Sequence, residues 1–295
     1  MLDSKIITLL ALVSEGSYTK AAKSLSLTQP AVSHHIKLLE QEYGIKIFYS
    51  DKKKLTATPD GEILIKYSRR AFALAENTIK ALEDNRRQVK SLAIGITPTA
   101  EENLVPYVFA SYCNKNPKVH INIVTNNINI IYDMLKSYEL DLAIIEGRIT
   151  DERFTSILLD TDYLCLAVSP QHKFAKKKSV NLLELKKENF ILRQPNAGTR
   201  TLFENHLISH SENIKNFNVI MELDNVALIK DLVSSNLGIT IISHKSCREE
   251  IASGKLVIIP IENLMMPREI NMVYPKDFRH REILEDIQRA YNSQI

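Results

Sequence analysis

At 295 residues the chain is long enough to bury at least two cores, and 44% hydrophobic with 25% charged residues excludes a disordered chain. No apolar run approaches the length of a transmembrane helix, and three scattered cysteines, Cys113, Cys165 and Cys247, argue for reduced thiols in a cytoplasmic protein rather than a disulfide scaffold or zinc site. The net charge of +3 is too small to mark a nucleic-acid protein, but its basic excess sits at the front: residues 1–58 hold eight lysines against five acids, whereas residues 91–295 hold 23 basic against 25 acidic residues.

The apolar run Ile6 to Val13, between Asp3 and Glu15, suits the core face of a first helix better than a signal peptide. Ser17 is placed to cap a second helix through Leu25, with Ala21, Ala22 and Leu25 on one face. Thr28 and Pro30 then cap and open a third. That third helix keeps Val32, Ile36 and Leu39 on its apolar side. Gln29, Pro30, Ser33, His34 and Lys37 take the other, with hydrogen-bonding and cationic groups suited to base edges in a major groove. A helix-turn-helix is the direct reading; the plain alternative is a packed helix pair with a solvated face. Lys52, Lys53 and Lys54 lie between two apolar segments, where a short hairpin would set ammonium groups beside phosphates as a wing.

Thr58-Pro59-Asp60-Gly61-Glu62 is a helix start, and the helix is expected to run to about Arg87. Leu64, Tyr67, Ala71, Leu74, Thr78 and Ala81 follow a three-four spacing along it, an apolar seam that needs a partner, from a second copy or from its own chain.

From Ser91 the pattern alternates between strand and helix. LAIGIT, a helical stretch from Glu102, HINIVT, a helix about Ile130 to Tyr138 and DLAIIEG predict the start of an open parallel sheet. A second set spans about 162–265, with YLCLAVSP, NFILRQ, NFNVIMEL, a helix around Ala227 to Asn236, and GITIIS. The chain then returns at Glu269 to Tyr274 and ends in a helix to about Tyr291. Two lobes with crossing connections enclose a cleft. In such lobes ligands gather at the carboxyl ends of strands and at helix N-termini. Thr97-Pro98-Thr99 follows one strand, Gln194 to Arg200 follows another, and Thr125 to Asn127 and Glu146-Gly147 end two more. The candidate ligand residues are Thr97, Pro98, Thr99, Asn127, Glu146, Gln194, Asn196, Thr199, Arg200 and Asn225, although the threonines could serve only as helix caps.

The front of the chain resembles the LysR-type transcriptional regulators, through A-A-x-x-L at Ala21 to Leu25, T-Q-P-A-x-S at Thr28 to Ser33, L-E-x-x-x-G at Leu39 to Gly44, and Ile47-Phe48. The likeness continues through K-K-K-L-T-A-T-P-D-G at 52–61 and, more loosely, to the C-terminus, where Arg193, Gly198, Thr199 and Arg200 match R-E-x-x-S-G-T-R. The resemblance implies a winged helix-turn-helix domain at 1–58, a linker and dimerisation helix at 59–90 and an effector domain at 91–295. The last has two Rossmann-like lobes of the type 2 periplasmic-binding-protein kind, lobe 1 at about 91–161 and 266–295 and lobe 2 at about 162–265. It implies a homodimer or homotetramer on a dyad-symmetric double-stranded DNA operator, RNA polymerase as a further partner, and a small polar or anionic metabolite as effector, with no cofactor. Overall similarity leans toward the branch sensing sulfur or cysteine-precursor metabolites. The chain also departs from the pattern. Gln194, Ala197, Asn126 and Ile128 replace usual ligand-loop residues, and His34 replaces a frequent Arg, leaving effector and base preference open.

Enzymatic signatures are missing: there is no G-x-S-x-G elbow, glycine-rich phosphate loop or H-E-x-x-H, and His206 with His210 has no third metal ligand nearby in sequence. The alternative to a regulator is an α/β enzyme or solute-binding domain fused to a DNA-binding head, which turnover of a bound metabolite would reveal.

Overall fold

The computed structural model describes residues 3–49, 55–278 and 280–292. Its residues fall into two compact units, Met1–Lys90 with Lys136–Glu139, and Ser91–Leu135 with Leu140–Ile295.

In the first unit, α1 (Ser4–Glu15), α2 (Tyr18–Ser24) and α3 (Gln29–Tyr43) are followed by the long α4 (Pro59–Arg87). Asp3 caps α1 by accepting from the Lys5 N–H, and Thr28 caps α3 by accepting from that of Ala31. Ser17 stands at the start of α2 as expected, but its hydroxyl makes no cap hydrogen bond, and the helix stops one residue before Leu25. Gly16 and Gly44 end α1 and α3 at φ 63° and 65°, a left-handed conformation that glycine reaches without steric cost. Leu9, Leu12, Ala21, Val32, Ile36, Leu39 and Ile47 close a small core, to which α4 contributes Ile65. An antiparallel bridge joins Phe48 and Ala57, and the turn of the expected hairpin lies outside the described residues. At the start of α4, a Cβ on Gly61 would lie 2.1 Å from the Ile47 carbonyl oxygen, so only glycine lets this helix seat against the hairpin. The hydroxyl of Thr58 accepts from the Gly61 N–H at 3.0 Å.

The second unit opens with β1 (Lys90–Ile96), α5 (Pro98–Glu101), α6 (Val105–Lys115), β2 (Val119–Thr125), α7 (Ile128–Lys136), β3 (Leu142–Glu146) and the 15-residue β4 (Phe154–Val168). Then come α8 (Leu182–Leu185), β5 (Asn189–Arg193), α9 (Gly198–Ser209), β6 (Asn218–Leu223), α10 (Val226–Ser234), β7 (Thr240–Ser243), α11 (Arg248–Ala252), β8 (Val257–Ile259), β9 (Met266–Pro275) and α12 (Arg281–Asn292). The helix expected from Ile130 to Tyr138 starts two residues earlier and ends at Lys136, with Tyr138 at φ 62°.

The expected parallel start is present, with β1 beside β3, and the chain returns to that sheet through β9 as expected. One seven-stranded sheet runs β2-β1-β3-β9-β4-β7, with β8 also on β4. Of these, β1 and β3 are parallel, but β9 is antiparallel to both β3 and β4, and β7 and β8 are antiparallel to β4. β5 and β6 make a separate parallel pair. The two lobes are therefore joined by a continuous ladder from Phe154↔Pro275 to Leu164↔Met266. That ladder slips once, where Leu158 pairs with Asn271 and Asp160 with Ile270, leaving Leu159 as the extra residue of a bulge. Burial changes phase there: Ser156 and Leu158 are exposed before it, whereas Thr161 and Tyr163 are exposed after it.

Lobe 1 packs α6 and α12 on one sheet face, around Phe109, Ile94, Ile144, Met272 and Tyr291, and α7 on the other through Ile131 and Leu135. Lobe 2 buries Phe190, Phe203 and Phe217 in one core and Ile229, Val233 and Cys247 in another.

Candidate functional site

In the head, burial of Val32, Ile36 and Leu39 fixes the rotation of α3. Gln29, Pro30, His34 and Lys37 are consequently exposed and Ser33 half-buried along one outward arc that includes the helix N-terminus. The other imidazole is spent internally, with His35 Nδ1 2.8 Å from the Thr8 hydroxyl. Glu40 anchors the far end of α3, accepting from the Ile47 N–H at 2.9 Å and pairing with Lys46. Lys52, Lys53 and Lys54 lie outside the described residues. On α4 the seam residues Tyr67, Ala71, Leu74, Thr78 and Ala81 are exposed in the single chain, as are Ile63, Ile79 and Leu82.

In the second unit a cavity of about 240 Å³ opens between the lobes, small beside the ~300–1,000 Å³ usual for drug-sized ligands. Lobe 1 lines it with Thr97, Pro98, Thr99, Thr125, Asn126, Asn127, Ile128 and Glu146, and lobe 2 with Arg193, Asn196, Ala197, Gly198 and Asp224. The starts of α7 and α9 both reach it. Asn127 caps α7 by accepting from the Ile130 N–H at 3.1 Å, while no side chain caps α9 behind Ala197. Their unpaired N–H groups give the cavity positive ends.

Its polar side chains are unevenly satisfied. The Thr97 hydroxyl donates toward both oxygens of Glu146, at 2.9 and 2.7 Å, and accepts from the Ala100 N–H. It is therefore committed within lobe 1 rather than open to a ligand. Arg193 is 4% exposed, pairs with Asp224 at 3.7 Å, and among the described residues its buried Nε has no hydrogen-bond partner. Burial pulls its guanidinium below the usual range, against the opposing pull of Asp224 and Glu146.

Of the predicted ligand residues, Thr97, Pro98, Thr99, Asn127, Glu146 and Asn196 meet at this cavity and four others do not line it. Thr199 lies 3.5 Å from the Thr99 hydroxyl across the lobes, leaving no room for an atom between them, and accepts from Arg268 at 3.2 Å. Arg200 is buried rather than facing a ligand or the surface. It pairs with Glu204 and Glu222 and donates to the Arg193 carbonyl at 3.4 Å, bracing the end of β5. Gln194 donates to the Glu222 carbonyl, and Asn225 caps α10 by accepting from the Leu228 N–H. Asp224 was missed because an acid after a strand is unremarkable in sequence. Arg193 stood in the matched motif, but its inward turn is decided by the register of β5.

Two further ionic contacts tie this unit together. Arg268 on β9 pairs with the fully buried Asp162 on β4 at 2.8 Å, and the Ser243 hydroxyl donates to the same carboxylate at 2.6 Å. Lys230 of lobe 2 reaches Glu102 of lobe 1 at 3.1 Å and Glu250 at 2.8 Å, and donates to the Ser246 carbonyl at 2.9 Å. Burial opposes the Lys230 charge, but its hydrogen bonds to Glu250 and Glu102 outweigh it and raise its affinity for the proton. Neither buried thiol is poised to react: burial pushes Cys165 well up and Cys247 to about 12.

Two family models match the chain: the bacterial regulatory helix-turn-helix protein of the lysR family over residues 4–62, and the LysR substrate binding domain over residues 85–290. A probable RuBisCO transcriptional regulator of Phaeodactylum tricornutum is 30% identical over 267 residues, 89% of this chain and 87% of that protein. CbnR, a LysR family transcriptional regulator, shares the fold with a TM-score of 0.71 at 14% identity, over 99% of each chain. The regulatory domain of Synechocystis PCC6803 CcmR, solved in complex with 2-PG, gives a TM-score of 0.62 at 20% identity, over 68% of this chain and 97% of that one.

Proposed function

The chain belongs to the LysR family of transcriptional regulators, and from that premise we propose that it reads operator DNA with the outward arc of α3 and senses a small polar metabolite in the cavity between its lobes. It is a regulator with an effector-binding domain rather than an enzyme. Gln29 and Ser33 meet base edges, with Pro30 and His34 beside them and Lys37 toward the backbone. The exposed seam of α4 is covered by a second copy, so that two heads face a dyad-symmetric site.

The observation that carries the effector assignment is Arg193. A buried guanidinium with an unpartnered Nε, beside two helix starts from opposite lobes, is a costly arrangement unless an acceptor-bearing guest completes it. The 2-PG held by CcmR supports a compact anionic group in a domain of this fold. The sulfur-metabolite lean finds no echo in the relatives named above. Thr99, Asn127 and Asn196 contribute contacts at the cavity wall, and filling it draws the lobes together, altering the spacing of paired heads.

The deciding experiment titrates candidate metabolites against full-length protein on its operator by fluorescence anisotropy. A metabolite that shifts operator affinity in the wild type and has no effect in Arg193→Gln supports the reading. An identical response in both proteins places the effector elsewhere.

A further inference from the structure

The cavity's charge pattern narrows what can fill it, an argument that rests on the cavity being the effector site. Three ionisable side chains line it, and they stand on opposite lobes: Glu146 at the end of β3, and Arg193 with Asp224 across the gap. Glu146 is met by a hydroxyl dipole, that of Thr97, and among the described residues no cation pairs with it. Asp224 is largely exposed at the rim, and Arg193 is the buried charge.

Two acids and one guanidinium leave the lining formally one negative charge, and the starts of α7 and α9 contribute about half a positive charge each. The lining is thus close to balanced as it stands. A guest bearing only negative charge would satisfy Arg193 and the helix starts while pressing against Glu146. A neutral apolar guest would strand both charges. What completes both sides is a guest of about zero net charge with its poles held apart.

We infer that the effector is a compact dipolar molecule, an amino-acid-like metabolite whose anionic group meets Arg193 and the N–H groups at Ile128 and Gly198, and whose ammonium meets the Glu146 carboxylate. Because the ammonium is held by lobe 1 and the anionic group by Arg193 and Gly198 of lobe 2 as well as by Ile128, the guest itself is the tie between the lobes. Recognition by both ends also explains how so small a cavity can discriminate, since a site that pairs a donor rejects the analogue lacking it.

The test uses matched pairs of amino acids and hydroxy acids that differ in one group: L-aspartate with L-malate, L-serine with L-glycerate and L-alanine with L-lactate, plus inorganic phosphate. Each is measured on full-length protein by thermal shift and isothermal titration. At least one amino acid should bind tenfold or more tightly than its hydroxy partner, and Glu146→Gln should reduce that preference to under threefold while tightening phosphate. Asp224→Asn, a change at the exposed rim, should leave most of the preference in place. Hydroxy acids or phosphate binding the wild type as well as the amino acids do, with binding lost in Arg193→Gln, would overturn the dipolar guest and leave the effector site standing. Binding untouched by either Glu146→Gln or Arg193→Gln would overturn both. No binding by any of these probes would rule out a guest of this size and class.

Discussion

Lys230→Met tests the reasoning about buried charge in the lobe-to-lobe contact. The ammonium now sits 3.1 Å from Glu102 and 2.8 Å from Glu250, so the two carboxylates lie within about 6 Å of one another. Once the cation is gone they repel by roughly 3 kcal/mol at an effective dielectric of about 20. The Ser246 carbonyl also loses its donor, while Glu102 and Glu250, 29% and 19% exposed, recover part of the cost from water. A net loss of about 2–4 kcal/mol follows, or roughly 5–15 °C in Tm for a unit of this size. Calorimetry of the full-length protein measures it directly. Adding Glu250→Met removes one of the stranded charges and should restore at least half the loss, because an apolar pair of similar volume carries no desolvation penalty. A single-variant loss under about 1 kcal/mol, or a double variant no better than the single, would show that the contact is not governed by uncompensated charge.

Leu74→Asp places a carboxylate in the exposed seam of α4 and, on the proposal that a second copy covers this seam, is expected to lower the assembly mass at micromolar concentration; light scattering that finds the wild-type mass would assign the seam another role. Gly61→Ala drives a methyl into the Ile47 carbonyl and should cost the head about 2–3 kcal/mol, seen as earlier proteolysis of residues 1–90 with the effector unit unchanged. Cys247 gives an alkaline signature. With its folded value raised from 9.0 to about 12, the folded state holds the proton longer than the unfolded state, so its stabilising effect is complete below pH 9 and drains away, by up to about 4 kcal/mol, as pH rises to 12. Cys247→Ala should flatten that decline, and an unaltered pH–stability curve would remove the thiol from the account.

The head was legible because its signals are local. A threonine followed at the second helical position by proline, glycines at two helix ends and a three-four apolar spacing each act within a turn or two, so Thr28, Gly44, Val32 and Ile36 stand where the sequence put them. The strand order of the effector unit was less so, since β9 inserts between β3 and β4 by pairings more than a hundred residues apart, which no periodicity encodes. At the cavity, sequence found the loops but not the direction of every side chain. Thr99 and Thr199 read alike as hydroxyls at helix starts, yet one lines the cavity and the other is held by Arg268 behind it. The single chain likewise gives no local cue that Arg200 would turn inward to brace β5.

The extra residue at Leu159 sets a limit on how this protein can change in length. Asp162, which must face inward to hold Arg268 and Ser243, keeps that side because the bulge absorbs the one residue that the chain carries beyond its partner strand. Deleting Leu159 would remove the bulge and keep Asp162 opposite Arg268, whereas flattening the bulge with Leu159 still present would turn Tyr163 inward and the Asp162 charge toward solvent. Insertion of one residue that no second bulge absorbs would do the same. Single-residue insertions and deletions in descendants of this sequence are therefore expected in the surface turns, such as 170–178, and between 154 and 168 only as loss of the bulge residue itself.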